Sequence, residues 1–288
     1  MATLPRGSWQ QPGSHNQRYG NIFNESKNFR AWDTSKAFDE AIKSTATAEQ
    51  DIFEFGVYTG GHMHIMARRV PTWRHMWGFD SFQGLPPEQP GLQVEGKHWS
   101  RGAFSASDAM GVWDQNKLLK KLRHKIGRTL ACIESAIQAI LPASLLLLLS
   151  YDLTHVVADP NVTLVPGFFN ESLPRLNVAD FRPALVVEID SDLYVSAKDA
   201  LTWLFRSKLM QPGTLVRYDD WPYVPEGTPM WGEMKAHFEV TEQFRVKWRR
   251  QATEPKGSDW RANEFQILSI GGARDGRLHR GRRGSNGE

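Results

Sequence analysis

Apolar positions along this chain fall into two alternating periods. Residues 31–45 space their apolar side chains by three and four, the repeat of a helix with one buried face, and Asp33 or Thr34 is in place as its cap. Residues 51–55 form a short apolar run that ends in Gly56 and the pair Gly60 and Gly61, as a strand running into a tight turn does. A helix is expected from about His62 to a stop before Pro71, then a strand over 73–79 and a turn-rich stretch over 83–102.

The second half repeats the alternation. Short β-rich runs are expected at 162–165 and 184–189, the latter bounded by Pro183 and an acidic cluster, with a short helix at 171–176 between them. A long helical pattern over 194–209 is broken by Pro212 and Gly213, and a strand over 214–218 ends at Asp219 and Asp220. Residues 230–244 read as a helix, and 245–250 and 264–270 as closing strands. Strands separated by helices imply an α/β domain, a mostly parallel sheet with helices on both faces. No internal repeat is visible.

Residues 111–157 are less regular. A basic helical stretch at 117–125 precedes 131–140, Pro142 and five leucines at 145–149. The apolar run is too short to span a bilayer of about 30 Å. A helical insertion packed on the sheet is the expectation, with a partner or membrane contact as the alternative. The first 30 residues, rich in Gly, Asn, Gln and Ser, read as a flexible lead-in.

Composition adds compartment and charge. The single cysteine, Cys132, excludes an intramolecular disulfide and suits a reducing compartment. Sequons occur at Asn24, Asn161 and Asn170, but the N-terminal residues carry no apolar core of the kind a secretory signal needs, so a cytoplasmic location is expected. The net charge is +3, and the tail from Gly271 to Glu288 holds five basic residues against two acidic ones. Of 35 basic and 32 acidic residues, equal numbers remain for the body. A neutral body with acidic residues at strand ends does not suit a nucleic-acid backbone, so no nucleic-acid partner is expected; the arginine tail reads as solvated, with an RNA or acidic surface as the alternative.

The chemistry-bearing residues gather after the strands. Glu54-x-Gly56-x-x-x-Gly60 lets the backbone turn tightly beside a helix start, and its spacing is not the G-x-G-x-x-G of an ordinary dinucleotide site. Asp80 closes the next strand 24 residues after Gly56, near the spacing of about 20 at which a carboxylate reaches ribose hydroxyls. Together these favour adenosine recognition over a ligand-free turn.

EFGVYTGG, GFDSFQGLP, Trp99-x-x-Gly102-Ala-Phe104-Ser105, VTLVPGFFNESLP, EIDSDLY and PGTLVRYDDW, in that order, resemble the macrocin O-methyltransferase (TylF-like) family of S-adenosylmethionine-dependent, metal-requiring enzymes that methylate sugar hydroxyls. The resemblance covers roughly residues 50–110 and 160–245. It implies a Rossmann-like class I methyltransferase with a seven-stranded, mostly parallel sheet, over about residues 31–271. It implies further that Glu54, Gly56, Val57, Tyr58, Thr59 and Gly60 shape the cofactor pocket, with Asp80 and Ser81 facing ribose and adenine. Asp190, Asp219 and Asp220 would hold a divalent cation.

Strand geometry agrees on the last point. Asp190 and Asp219 follow strands, ligands of open α/β sheets bind outside the strand carboxyl ends, and neighbouring strands lie about 4.8 Å apart. Oxygen ligands alone favour a hard cation such as Mg²⁺, able to chelate two adjacent hydroxyls and acidify one. The alternative is that Asp219 and Asp220 merely cap a turn. For the base, Asp192 alternates with Asp190 as a catalytic pair, with His62 and His98 as rivals. Trp99, Phe104, Tyr194, Trp221 and Tyr223 either wall an acceptor ring or pack the interior.

Three departures from the family pattern stand out. His62 follows the glycine pair where the family more often has a small hydroxyl residue. Glu188 and Arg217 fall inside buried strands and need partners, each other across adjacent strands or an exposed edge. The stretch over 111–157 exceeds the family's usual link, either reshaping the acceptor site or marking a mistranslated intervening sequence. The expected partner is a small-molecule hydroxyl acceptor, with no membrane span and a homo-oligomer left open. The rival to an enzyme is a non-catalytic nucleoside-binding or interaction protein whose insertion replaces the acceptor site.

Overall fold

The computed structural model describes residues 34–92, 99–122, 124, 161–222, 230–251 and 260–271. The expectations for the N-terminal lead-in, for most of the insertion with its leucine run, for the basic tail, and for Cys132, His98 and Tyr223 fall outside them. Seven strands form one sheet in the order β3-β2-β1-β4-β5-β7-β6. They are β1 (Asp51–Phe55), β2 (His75–Asp80), β3 (Val162–Pro166), β4 (Ala184–Ile189), β5 (Leu215–Pro222), β6 (Val246–Arg250) and β7 (Trp260–Ile270). The first five pair in parallel, and β7 runs antiparallel to both its neighbours. That order reverses direction beside β1 and β4, opening a crevice at their carboxyl ends.

The helices are α1 (Lys36–Thr45), α2 (Gly61–Arg69), α3 (Ala106–Met110), α4 (Phe169–Ser172), α5 (Tyr194–Arg206) and α6 (Gly232–Phe244). A further helical stretch covers 115–122. Alternate strand residues feed two cores: Phe53, Phe55 and Val187 pack with α5 and α6, whereas Ile52, Val186 and Leu215 face α1 and α2. The period of two that defines a strand therefore appears as two apolar layers, one per face.

Three local expectations are corrected. The cap of α1 is Ser35, not Asp33 or Thr34; its hydroxyl accepts from Phe38 N at 3.1 Å, while its own N–H donates 2.8 Å to Glu264 of β7. A tertiary partner selects among adjacent residues that all have capping chemistry. Strand β5 does not end before Asp219 and Asp220 but carries them, with its register against β7 shifting between Tyr218 and Trp221. The run expected as a helix at 171–176 splits into α4 and a 3-10 turn over Leu173–Arg175, with Pro174 inside that turn.

Candidate active site

Where β1 ends, the chain turns at Gly56 with φ +98, and a Cβ there would sit 1.6 Å from the Asp190 carbonyl oxygen. Glycine is thus required so that the β1 and β4 ends can approach, a packing demand beyond the room for a ligand that the sequence suggested. The pairing continues past the strand ends: Asp190 N donates to Phe55 O and Gly56 N to Phe79 O, each at 2.9 Å. Gly60, left-handed at φ 74, then starts α2.

Asp80 closes β2, and its two oxygens accept from Tyr58 N at 2.7 Å and Phe82 N at 2.6 Å. These bonds hold the glycine turn and the loop after β2 on one carboxylate. A carboxylate offers about four lone-pair sites, and the backbone N–H groups of Tyr58, Phe82 and Val57 lean on this one, which leaves about one for a ligand hydroxyl. Burial raises the Asp80 carboxyl, and the backbone N–H groups oppose the rise.

A cavity of about 1260 Å³ opens here, lined by Gly56, Tyr58, Asp80 and Ser81 on one side and by Asp190, Asp192, Asp219 and Asp220 on another. Tyr58, Phe104 and Asp192, all on its wall, have left-handed φ values of 48, 58 and 59. Side chains forced into that region cluster where a site over-determines the backbone. Of the expected cofactor contacts, Glu54, Val57, Thr59 and Gly60 do not line the cavity. Val57 is 2% exposed and packs in the core, because the turn directs its side chain inward. Glu54 lies beneath the turn, fully buried, and burial holds its carboxyl well above the usual range.

One row of ionisable side chains crosses the sheet under the site. Glu54, Glu188, Arg217 and Glu264 occupy partnered positions on β1, β4, β5 and β7. Arg217 pairs with Glu188 and also reaches Asp219 at 2.8 Å, so each buried charge has an opposite one beside it, although the buried Nε of Arg217 finds no partner among the described residues. His62 Nδ1 lies 3.2 Å from Asp190 and 3.7 Å from Glu188. These carboxylates outweigh the opposing effect of burial and push the imidazole up to about 10. The surrounding carboxylates thus favour the protonated imidazole at His62, which argues against its role as the base.

Asp190, Asp219 and Asp220 bring one oxygen each within 4.8 Å of one another. Asp190 and Asp192 are raised by burial and then by neighbouring carboxylates, Asp219 for the first and Asp220 for the second. Three carboxylate oxygens converging within 4.8 Å form a hard donor set that a divalent cation fits. Ser191 lies between, and its buried Oγ finds no partner among the described residues.

Two contacts were missed from sequence. Glu88, in the loop after β2, accepts from Tyr194 N at 2.7 Å and Val195 N at 3.3 Å, capping α5, whose own Leu193 offers no side-chain cap. Glu233 accepts from Ser191 N at 2.9 Å and Asp220 N at 3.1 Å. Only long-range placement distinguishes these from other surface or first-turn glutamates. Of the aromatic set, Trp99, Phe104 and Tyr194 line the cavity, whereas Trp221 packs against Tyr218, His237 and Phe265. Among the described residues no helix is long and apolar enough to cross a membrane.

The family described as Macrocin-O-methyltransferase (TylF) matches residues 149–249. That segment contains Asp190, Asp192, Asp219 and Asp220, whereas the glycine turn and Asp80 precede it. No curated protein matches significantly. Among solved structures, the calicheamicin methyltransferase CalS11 is 19% identical, with 80% of this chain and 76% of that one covered and a TM-score of 0.53. The O-methyltransferase NovP is 21% identical, covering 80% and 78%, at 0.45. An O-methyltransferase from Bacillus cereus in complex with SAH is 15% identical, covering 88% and 90%, at 0.45. The match to the macrocin-O-methyltransferase (TylF) family is thus confined to residues 149–249, and the likeness to CalS11 shows a class I methyltransferase fold around that segment.

Proposed function

We propose that this protein methylates a hydroxyl of a sugar or another vicinal diol, with Mg²⁺ held by Asp190, Asp219 and Asp220. The observation that carries the reading is the convergence of those carboxylates in the same cavity as the Gly56 turn and Asp80. The family's description supports a glycoside acceptor, and a cavity of about 1260 Å³ has room for one beside a nucleoside cofactor.

When bound, S-adenosylmethionine supplies an electrophilic methyl group, and the cation acidifies and aligns a hydroxyl. Asp80 orients the cofactor through its free lone pair while its occupied ones keep the turn in place. Asp190, Asp219 and Asp220 fix the acceptor end, and Arg217 and His62 hold Asp219 and Asp190 from behind. Methyl transfer from the bound cofactor would leave the hydroxyl proton to be taken up, and Asp192 is the residue placed to take it. Its place on the cavity wall, one residue beyond Ser191 and beside the three donors, suits that task. Trp99, Phe104 and Tyr194 provide ring faces for the acceptor.

The test is calorimetric titration with S-adenosylhomocysteine followed by a screen of diols and glycosides with Mg²⁺, read as S-adenosylhomocysteine release. Turnover on at least one vicinal diol is expected. Cofactor binding without turnover across the screen would favour the non-catalytic binding protein, and full activity in EDTA would remove the cation.

A further inference from the structure

Glu233 is wholly buried in the first turn of α6, where an acidic side chain would ordinarily serve its own helix. Instead both oxygens leave the helix. Oε1 accepts from Ser191 N at 2.9 Å and Oε2 from Asp220 N at 3.1 Å, residues 42 and 13 positions away.

Sheet register explains why those two N–H groups need it. Parallel pairing of β4 with β5 stops at Ile189 opposite Tyr218. On the other side of β5, Tyr218 is paired with Asn263 and the next paired residue is Trp221, so Asp219 and Asp220 fall in the register shift. Beyond that line the ladder no longer ties the two strand ends together, although Asp190 and the pair Asp219–Asp220 must stay within reach of one ion. A buried N–H without a partner costs about 1–3 kcal/mol, and one planar carboxylate answers two of them at once.

We propose that Glu233 is a positioning residue for the cation site. Its carboxylate staples the Asp190–Ser191 end of β4 to Asp220 of β5 and so sets the spacing of the three donors. The inference rests on the Mg²⁺ reading above for its purpose, but not for its geometry. Glu233 does not line the cavity and touches neither the cofactor turn nor Asp80. Its loss should therefore separate cation binding from cofactor binding.

The experiment compares wild type with Glu233→Gln and Glu233→Ala by amide hydrogen exchange at Ser191 and Asp220 and by calorimetry with S-adenosylhomocysteine. Mg²⁺ titration of the S-adenosylhomocysteine-bound protein completes the comparison. Glu233→Gln keeps the shape but turns one acceptor into a donor facing an N–H. Exchange is expected to rise about tenfold at one of the two amides in Glu233→Gln and at both in Glu233→Ala. Mg²⁺ affinity should fall by about tenfold or more, while S-adenosylhomocysteine affinity stays within about twofold. Equal losses of both affinities would overturn the proposal in favour of a general folding role, and unchanged exchange at both amides would overturn the staple. Unchanged Mg²⁺ affinity despite faster exchange would overturn the positioning. A wild-type protein that takes up no Mg²⁺ would remove the cation reading; the staple would then stand if exchange rises at these amides and fall if it does not.

Discussion

Glu188 and Arg217 stand opposite each other in the register of β4 and β5, and their side chains close an ion pair beneath the cavity floor. Both are almost fully buried, at 0% and 2% exposure. Removing one partner strands a buried charge. Arg217→Met is expected to cost about 3–5 kcal/mol in urea unfolding, whereas Glu188→Leu combined with Arg217→Leu should recover much of that loss. Equal costs for the single and double variants would argue that the pair contributes nothing specific.

Asp80 has two duties, and its variants should reveal both. Asp80→Asn keeps the size but places an amide against the N–H of Tyr58 or Phe82. S-adenosylhomocysteine binding is expected to weaken about tenfold to a hundredfold, measured by calorimetry, since hydrogen bonds to a charged group carry about 1.5–3 kcal/mol. An unchanged dissociation constant would remove the ribose assignment.

At the acceptor end, Asp219→Asn is expected to abolish methyl transfer while cofactor affinity changes by less than about threefold, the two sites being joined by no shared side chain. EDTA should have the same effect on the wild type and be reversed by excess Mg²⁺. Retained turnover in Asp219→Asn would exclude it from the donor set.

One side chain of the loop after β2 ties it to α5. Glu88 caps α5 from 106 positions away, so Glu88→Ala uncaps the helix start and loosens the tie between α5 and the cavity wall at Pro86 and Pro87, while Leu85 keeps its backbone bonds to Gly102 and Ala103. Loss of a cap costs about 1 kcal/mol. A higher KM for the acceptor, with kcat changed less, is the expected kinetic result, and an unaltered KM would show that the loop keeps its place unaided.

Acid should weaken the fold through His237. Burial pulls its imidazole down to about 3 from the usual 6.5, and Tyr218 Oη lies 3.0 Å from its Nδ1. Between those values the unfolded chain binds a proton that the folded one does not, so stability is full above pH 6.5 and falls as the pH drops toward 3. From pH 7 to pH 5 the loss attributable to this group is about 2 kcal/mol. Urea unfolding at the two pH values should show a smaller difference in His237→Gln; an identical slope would assign the acid loss elsewhere.

The legibility of each feature follows its range. Residues 51–55 and 184–189 read as strands because short apolar runs bounded by glycine, proline or acids have few alternatives. The need of Glu188 and Arg217 for partners was equally plain, since a charge inside an apolar run must be met somewhere. Their pairing was one of two options until the register joined them. The cap of α1 was misplaced because neighbouring residues share the same local chemistry; Asp33 lies outside the described residues, the Thr34 hydroxyl donates to Asp39, and Ser35 takes the cap while bonding Glu264.

By itself the sequence determined the alternation of strands and helices, the glycine turn after β1 and the placing of carboxylates at the end of β2 and just past β4, because each depends on neighbours a few residues apart. Tertiary structure decided which carboxylates meet. It set His62 among carboxylates beside Asp190, packed Val57 in the core and Trp221 against it, and assigned Glu233 and Glu88 to strand and helix ends far away in the chain. Hydrogen bonds and charge interactions act over a few ångströms, and only the closed sheet brings such distant residues within that reach.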